Sequence, residues 1–152
     1  MFRGTVLLSL DAKGRVAVPT KHRLALCPAS ADAEANHLVL TAHPHRCLLL
    51  YPQQAWSPIE SKLMSLSSFD KQSSGLQRLL VGHAEDIELD SAGRLLVSST
   101  LRQFANLDKQ LMLVGQGSHF ELWNVEAWHA QLERAIGADE MVIPTELEGF
   151  SL

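Results

Sequence analysis

Two pentapeptides of one pattern, Asp11-Ala12-Lys13-Gly14-Arg15 and Asp90-Ser91-Ala92-Gly93-Arg94, stand 79 residues apart in this chain of 152. Such an echo constrains the fold strongly, because a sequence written twice folds as two like units. Thr5-Val6-Leu7-Leu8-Ser9-Leu10 and Val16-Ala17-Val18 flank the first pentapeptide, Ile87-Glu88-Leu89 and Leu95-Leu96-Val97 the second. These runs are short, apolar and partly β-branched, so they read as strands, and each D-x-x-G-R turn joins its pair into a hairpin. Gly14 and Gly93 supply the positive φ that a hairpin loop needs, while Asp11 and Asp90 bond the amides that follow them. The turn itself requires neither an Arg after the Gly nor Lys13 at the apex.

The likeness extends beyond the turns. At the offset of 79, Arg15 meets Arg94, Val16 meets Leu95, Val18 meets Val97 and Arg23 meets Arg102. At an offset of 72, Leu50-Tyr51 meets Leu122-Trp123 and Ala55-Trp56 meets Ala127-Trp128. The seven-residue difference falls in the small, polar stretch 28–36 of the first copy, a surface connection. Each copy reads as hairpin, short helix, second strand pair and longer helix. The short helices cover 21–26, capped by Thr20 or a neighbour and ended by Pro28, and the segment through Phe104, capped by Ser98 or Ser99. The second strand pairs cover 38–41 with 47–51, and 111–114 with 119–123. Longer amphipathic helices follow over 54–66 and 125–136, with Trp56, Ile59, Leu63 and Leu66 on a core-facing stripe. The aromatic residues are therefore core and not a base-stacking platform.

The expected organisation is a first repeat over 1–66, a polar linker and helix over 67–84, a second repeat over 85–136 and an acidic tail over 137–152. A unit of roughly 70 residues is marginal alone, so the two repeats share one core.

The formal net charge is −4, which argues against nucleic acid as a partner until its distribution is considered. Residues 1–26 carry a net +4 and residues 126–152 a net −5, a basic head on an acidic body. No apolar run reaches membrane-spanning length, and Met1-Phe2-Arg3-Gly4 leads into a strand without a signal-peptide core, so the cytoplasm is expected. Cys27 and Cys47 lack C-x-x-C spacing and read as buried free thiols. His43, His45 and Cys47 alternate, but same-face strand neighbours lie about 7 Å apart, too far to converge on one ion without a bend. No metal, cofactor or small-molecule substrate is expected, and no nucleophile-elbow, Walker, dinucleotide-binding or zinc-protease motif marks an enzyme.

The sharpest candidate site is the first turn, with Lys13 and Arg15 at a hairpin tip and Arg3 on the adjoining strand. Arg15 can grip guanine through two parallel hydrogen bonds, and Lys13 and Arg3 can support it on phosphate. A purely structural reading stands beside this, in which Arg15 pairs with Asp11 across the turn and does no more. The second turn lacks an apical Lys and follows Glu85, Asp86 and Glu88, so Arg94 is expected to hold its own turn or meet a subunit neighbour.

Met1-Phe2-Arg3-Gly4, both D-x-x-G-R turns, Val18-Pro19 with Arg23, Cys47-Leu48-Leu49-Leu50-Tyr51-Pro52, Gln77-Arg78-Leu79-Leu80-Val81-Gly82-His83-Ala84, and Val114-Gly115 with Phe120-Glu121-Leu122-Trp123 together resemble the MraZ family. The resemblance covers nearly the whole chain. It implies an α+β, β-rich fold: a tandem pseudo-two-fold repeat of the swapped-hairpin, double-split β-barrel unit shared with AbrB and MazE, with flanking helices. It also implies a nucleoid-associated regulator of the division and cell-wall gene cluster, a ring-like homo-oligomer that binds short direct repeats of double-stranded DNA upstream of its own gene. The family's DNA-contacting turn maps onto Asp11, Gly14 and Arg15, with Asp90, Gly93 and Arg94 in the second copy. The charge asymmetry directs the DNA role to the first copy. The rival expectation is a protein-interaction or antitoxin-like module whose hairpins make subunit contacts.

Overall fold

The computed structural model describes residues 1–28, 36–137, 144–147 and 149. Most of the expected connection over 28–36 and of the acidic tail over 137–152 lies outside the described residues.

Among the described residues, eight strands and five α-helices follow one another in the order the repeat predicts. In the first copy β1 (Thr5–Ser9), β2 (Arg15–Ala17) and α1 (Thr20–Leu26) are followed by β3 (Leu38–Ala42), β4 (Leu48–Pro52) and α2 (Gln53–Met64). A connecting helix, α3 (Lys71–Leu76), runs into a π-helical turn, Gln77–Val81. The second copy repeats β5 (Glu85–Ile87), β6 (Arg94–Leu96), α4 (Ser99–Phe104), β7 (Gln110–Gly115), β8 (Phe120–Trp123) and α5 (Val125–Gly137). A short 3₁₀ turn covers Thr145–Leu147.

The strands do not pair as simple hairpins. Apart from a single bridge between Leu10 and Val16, β1 leaves β2 and pairs antiparallel with β7, Thr5 facing Val114 and Leu8 facing Leu111. In the mirror arrangement β5 leaves β6 and pairs with β3, Leu38 facing Ile87. The two strands left over, β2 and β6, pair with each other. The result is a six-stranded antiparallel sheet in the order β1-β7-β8-β4-β3-β5 and a separate two-stranded ribbon, β2-β6. Interchanging the copies maps this order onto itself, so the pseudo-two-fold axis runs between β4 and β8 and between β2 and β6. The expected hairpins are thus replaced by pairing between copies, which extends the hydrogen-bonded sheet beyond the two strands of a lone hairpin.

One core lies between the sheet and the ribbon, and both copies contribute to it. Leu38, Leu40, Leu48 and Leu50 meet Leu111, Leu113, Phe120 and Leu122 from the sheet, and the ribbon closes over them with Val16, Val18, Leu95 and Val97. On the sheet's other face α2 seats Trp56 and Leu63 on Val39, Leu49 and Tyr51, while Trp128 of α5 packs near Cys47, Val114 and Trp123. The aromatic pairs match as the offset suggests, with ring centroids 5.7 Å apart for Tyr51 and Trp56 and 5.9 Å for Trp123 and Trp128.

Local readings need three corrections. Helix α1 has no side-chain cap; it starts after Pro19, whose fixed φ suits a helix entry, whereas Ser98 does cap α4 through the amide of Leu101. Leu66 is exposed, because α2 ends at Met64, and Gln77 Nε2 donates to the carbonyls of Leu63 and Leu66 at the helix end. The polar stretch 67–74 is not all linker: Asp70 accepts from the Ser73 amide and starts α3 at Lys71.

Candidate nucleic-acid interface

The two D-x-x-G-R turns have the same internal geometry. In the first, Asp11 Oδ1 accepts from the amides of Lys13 at 2.9 Å and Arg15 at 2.8 Å, while its Oδ2 accepts Arg15 Nε at 2.8 Å. In the second, Asp90 Oδ1 accepts from Ala92 and Arg94 at 2.9 Å, and Oδ2 accepts Arg94 Nε at 2.9 Å. In each loop the Asp amide donates to the Arg carbonyl and the Gly amide donates to the Asp carbonyl, with Gly14 at φ +82° and Gly93 at φ +72°. The Arg15 and Arg94 amides are the leading cause that holds the Asp11 and Asp90 carboxyls below the ordinary 3.8, and each Arg side chain adds to it.

The Asp–Arg pairing and an outward-facing role are compatible. Asp11 engages only Nε, and among the described residues Arg15 Nη1 and Nη2 make no hydrogen bond. The Nη edge of the guanidinium, the edge suited to two-pronged recognition, is left unbonded among the described residues.

The ribbon decides where these edges point. Its ladder sets Arg15 opposite Leu96, Val16 opposite Leu95 and Ala17 opposite Arg94. Val16 and Leu95 are buried, so Arg15, Ala17, Arg94 and Leu96 share the outward face, with Leu96 53 % exposed. Arg15 and Arg94 occupy diagonal corners, their Cα atoms about 7–8 Å apart by strand geometry. Turns separated by half the sequence thus become the two ends of one surface.

Lys13 is exposed at the first apex. Arg3 is not part of this surface: β1 stands between it and the turn, and Arg3 packs its backbone beside Gly115 while neighbouring Phe2 bridges Gly117. Adjacency in sequence had placed Arg3 beside the turn, but an extended strand carries it more than roughly 15 Å away. Two cations unassigned from sequence do reach the turns, Arg102 against Gly14 and Arg23 against Gly93. Their correspondence at the offset of 79 is the signal that marks them.

The surroundings differ in charge. A cleft beside the first turn is lined by Asp11, Ala12, Arg102, Asp108 and Lys109. The corresponding cleft near the second is lined by Cys27, Asn36, His37, Glu88 and Leu89, with His37 Nδ1 3.6 Å from Glu88. The first lining is balanced, two acidic residues against two basic, whereas the second carries Glu88 with no Lys or Arg, so the surroundings of the first turn are the less negative.

The alternating His43, His45 and Cys47 do not form a centre: Cys47 is buried near Trp123 with its thiol pushed up by burial, and the His45 amide donates to His43 Nδ1. Among the described residues no three His, Cys, Asp or Glu side chains are placed to hold a metal ion. No described helix is long and apolar enough to cross a membrane.

The family model described as "MraZ protein, putative antitoxin-like" matches the chain twice, over residues 1–79 and 80–147. The chain belongs to the MraZ family. It is 68 % identical over 152 residues, the whole of both chains, to the transcriptional regulator MraZ of Methylobacillus flagellatus. It is 54 % identical to that of Nitrosospira multiformis and 52 % to that of an Azoarcus species, again over the full length of each. The two MraZ matches divide the ribbon between them, β2 in one and β6 in the other. MraZ membership sets the chain among regulators and not among enzymes.

Proposed function

We propose that this chain is a sequence-specific DNA-binding transcriptional regulator that represses its own operon of division and cell-wall genes. It does so in the cytoplasm, on the nucleoid, as a homo-oligomeric ring bound to short direct repeats. The observation that carries the reading is the outward face of the β2-β6 ribbon, with Arg15 and Arg94 each held through Nε by an Asp. A two-stranded ribbon fits the major groove of B-form DNA. Arg15 offers Nη1 and Nη2 to guanine or phosphate, Lys13 meets the backbone as a point charge, and Ala17 and Leu96 offer an apolar floor for thymine methyl groups. Asp11, Gly14, Asp90 and Gly93 shape the turns. Arg94 chiefly holds the second turn, where Asp86 and Glu88 on the approach weaken phosphate contact.

The exchange of β1 and β5 between copies supports a swapped-hairpin, double-split barrel, with one core serving both repeats. A ring reconciles DNA binding with the formal net charge of −4: several ribbons on tandem sites gain effective concentration that one ribbon lacks. A protein-interaction reading draws on Leu96, an apolar residue 53 % exposed between the two arginines.

Gel-shift titration of the purified protein on DNA upstream of its own gene, with repeats intact, reduced to one or scrambled, tests the reading. Affinity rises steeply with repeat number and falls with salt. Equal affinity for intact and scrambled DNA contradicts sequence-specific regulation.

A further inference from the structure

Each turn is completed by the repeat to which it does not belong. Gly14 O accepts the Val97 amide at 2.8 Å, and Val97 O accepts Arg102 Nε at 3.1 Å. The mirror chain runs from Gly93 O to the Val18 amide at 3.0 Å, and from Val18 O to Arg23 Nε at 2.7 Å. Each arginine lies directly over the glycine. A Cβ on Gly14 would come within 2.9 Å of both Arg102 Nε and Val97 O, and a Cβ on Gly93 would run into Arg23 Nε. These glycines are thus required twice, for their positive φ and for the close approach of an arginine from across the pseudo-two-fold axis.

Arg102 and Arg23 are half-buried and start from short helices, α4 and α1, anchored in the common core by Leu101 and Leu26. Their Nε atoms are spent on carbonyls, so the rest of the guanidinium stacks on the turn backbone instead of extending into solvent as Lys13 does. A carbonyl that would otherwise end the short ribbon unpaired is satisfied in the same step.

We propose that Arg102 is a positioning residue for Arg15, and that Arg23 plays the same part for Arg94. Resting on the DNA-binding reading above, the inference deepens it: Arg102 fixes the height and tilt of the first turn on the ribbon face, and so the direction of the Arg15 edge. The DNA-facing turn of one repeat is thereby set by a helix of the other, and neither repeat presents its turn alone.

The test has two arms on the full-length protein. Hydrogen exchange without DNA reads the clamp itself. Arg102→Ala speeds exchange of the amides of residues 13–15 and leaves 92–94 protected; Arg23→Ala does the reverse. Equal loosening of both turns by either variant, or of neither, overturns the clamp, whatever the DNA result. The second arm is a double-mutant cycle on upstream DNA with oligomer size held to that of wild type. Arg102→Ala weakens binding by about fivefold or more in the wild-type background and by less than about twofold when Arg15 is already Ala, whereas Arg23→Ala is additive with Arg15→Ala. Additivity of Arg102→Ala with Arg15→Ala, together with a salt dependence shallower by about 0.9 in log–log slope, would make Arg102 a direct phosphate contact and overturn the positioning role. If Arg15→Ala itself leaves binding unchanged while the exchange pattern is as expected, the clamp stands and the DNA assignment of Arg15 fails.

Discussion

Arg15 stands directly opposite Leu96 in the β2-β6 ladder, so the nearest strand neighbour of the first turn's arginine comes from the second repeat. The ribbon face is a property of the pair of repeats. Changes in either one reach it.

Removing the acidic residue of the first turn separates positioning from net charge. Asp11→Asn makes the face more positive, and a purely electrostatic account expects tighter DNA binding. The geometry predicts weaker binding, because the carboxylate that takes the Lys13 and Arg15 amides and Arg15 Nε is lost. Fluorescence anisotropy on upstream DNA at fixed salt decides the sign.

Lys13 is exposed at the apex and acts on phosphate without reading bases. Lys13→Ala lowers affinity for specific and scrambled DNA by a similar factor and makes the salt dependence shallower by about 0.9 in log–log slope. A salt series on both DNAs checks this. Loss confined to the specific site would instead make Lys13 a base reader.

Acid sensitivity has two origins with distinct windows. His22, His43 and His119 are each held below the ordinary 6.5, chiefly by burial. The unfolded chain then takes up protons first, so stability is full above 6.5 and is lost as pH falls from there toward the folded values. Asp11 and Asp90 are held below 3.8, so their contribution is present above that value and lost only as pH falls through their lowered folded values. Melting temperature accordingly falls on acidification below 6.5, and His119→Gln, which keeps a planar group beside Tyr51, flattens that fall. Turn-amide protection persists until more acid pH.

How far the sequence led is clearest at the turns. The pairing of Asp11 with Arg15, the positive φ of Gly14 and the matching second copy were all legible, since each rests on contacts within five residues. The partner strands were not. Apolar periodicity marks 5–10 and 16–18 as strands, but the same residues satisfy a hairpin or the exchanged pairing, and only the shared core selects between them. Arg3 was misplaced for that reason: with β1 turned away to β7, closeness along the chain no longer meant closeness in space. Arg94 was separated from Arg15 on local charge, which cannot reveal that Ala17 lies opposite it. The helix at Lys71 was hidden by a serine-rich composition and depends on the Asp70 cap.

The common core predicts that stability is shared by both repeats. Leu50 is fully buried on β4, opposite Phe120 of β8 across the pseudo-two-fold axis. Leu50→Ala costs about 2–5 kcal/mol and unfolds both repeats in one transition. Urea denaturation at fixed protein concentration, followed by separate probes in each repeat, reads this. Two separated transitions would indicate independent units.

The central claim is that the Arg15 edge of the ribbon contacts DNA, and the most direct measurement is the affinity of Arg15→Ala for upstream DNA with oligomer size read by light scattering. A two-pronged arginine contact contributes about 1–3 kcal/mol to discrimination against a wrong base. The account predicts an intact oligomer whose affinity for the intact repeats falls by roughly tenfold or more, toward that for scrambled DNA. An intact oligomer that binds the repeats as tightly as wild type would contradict it.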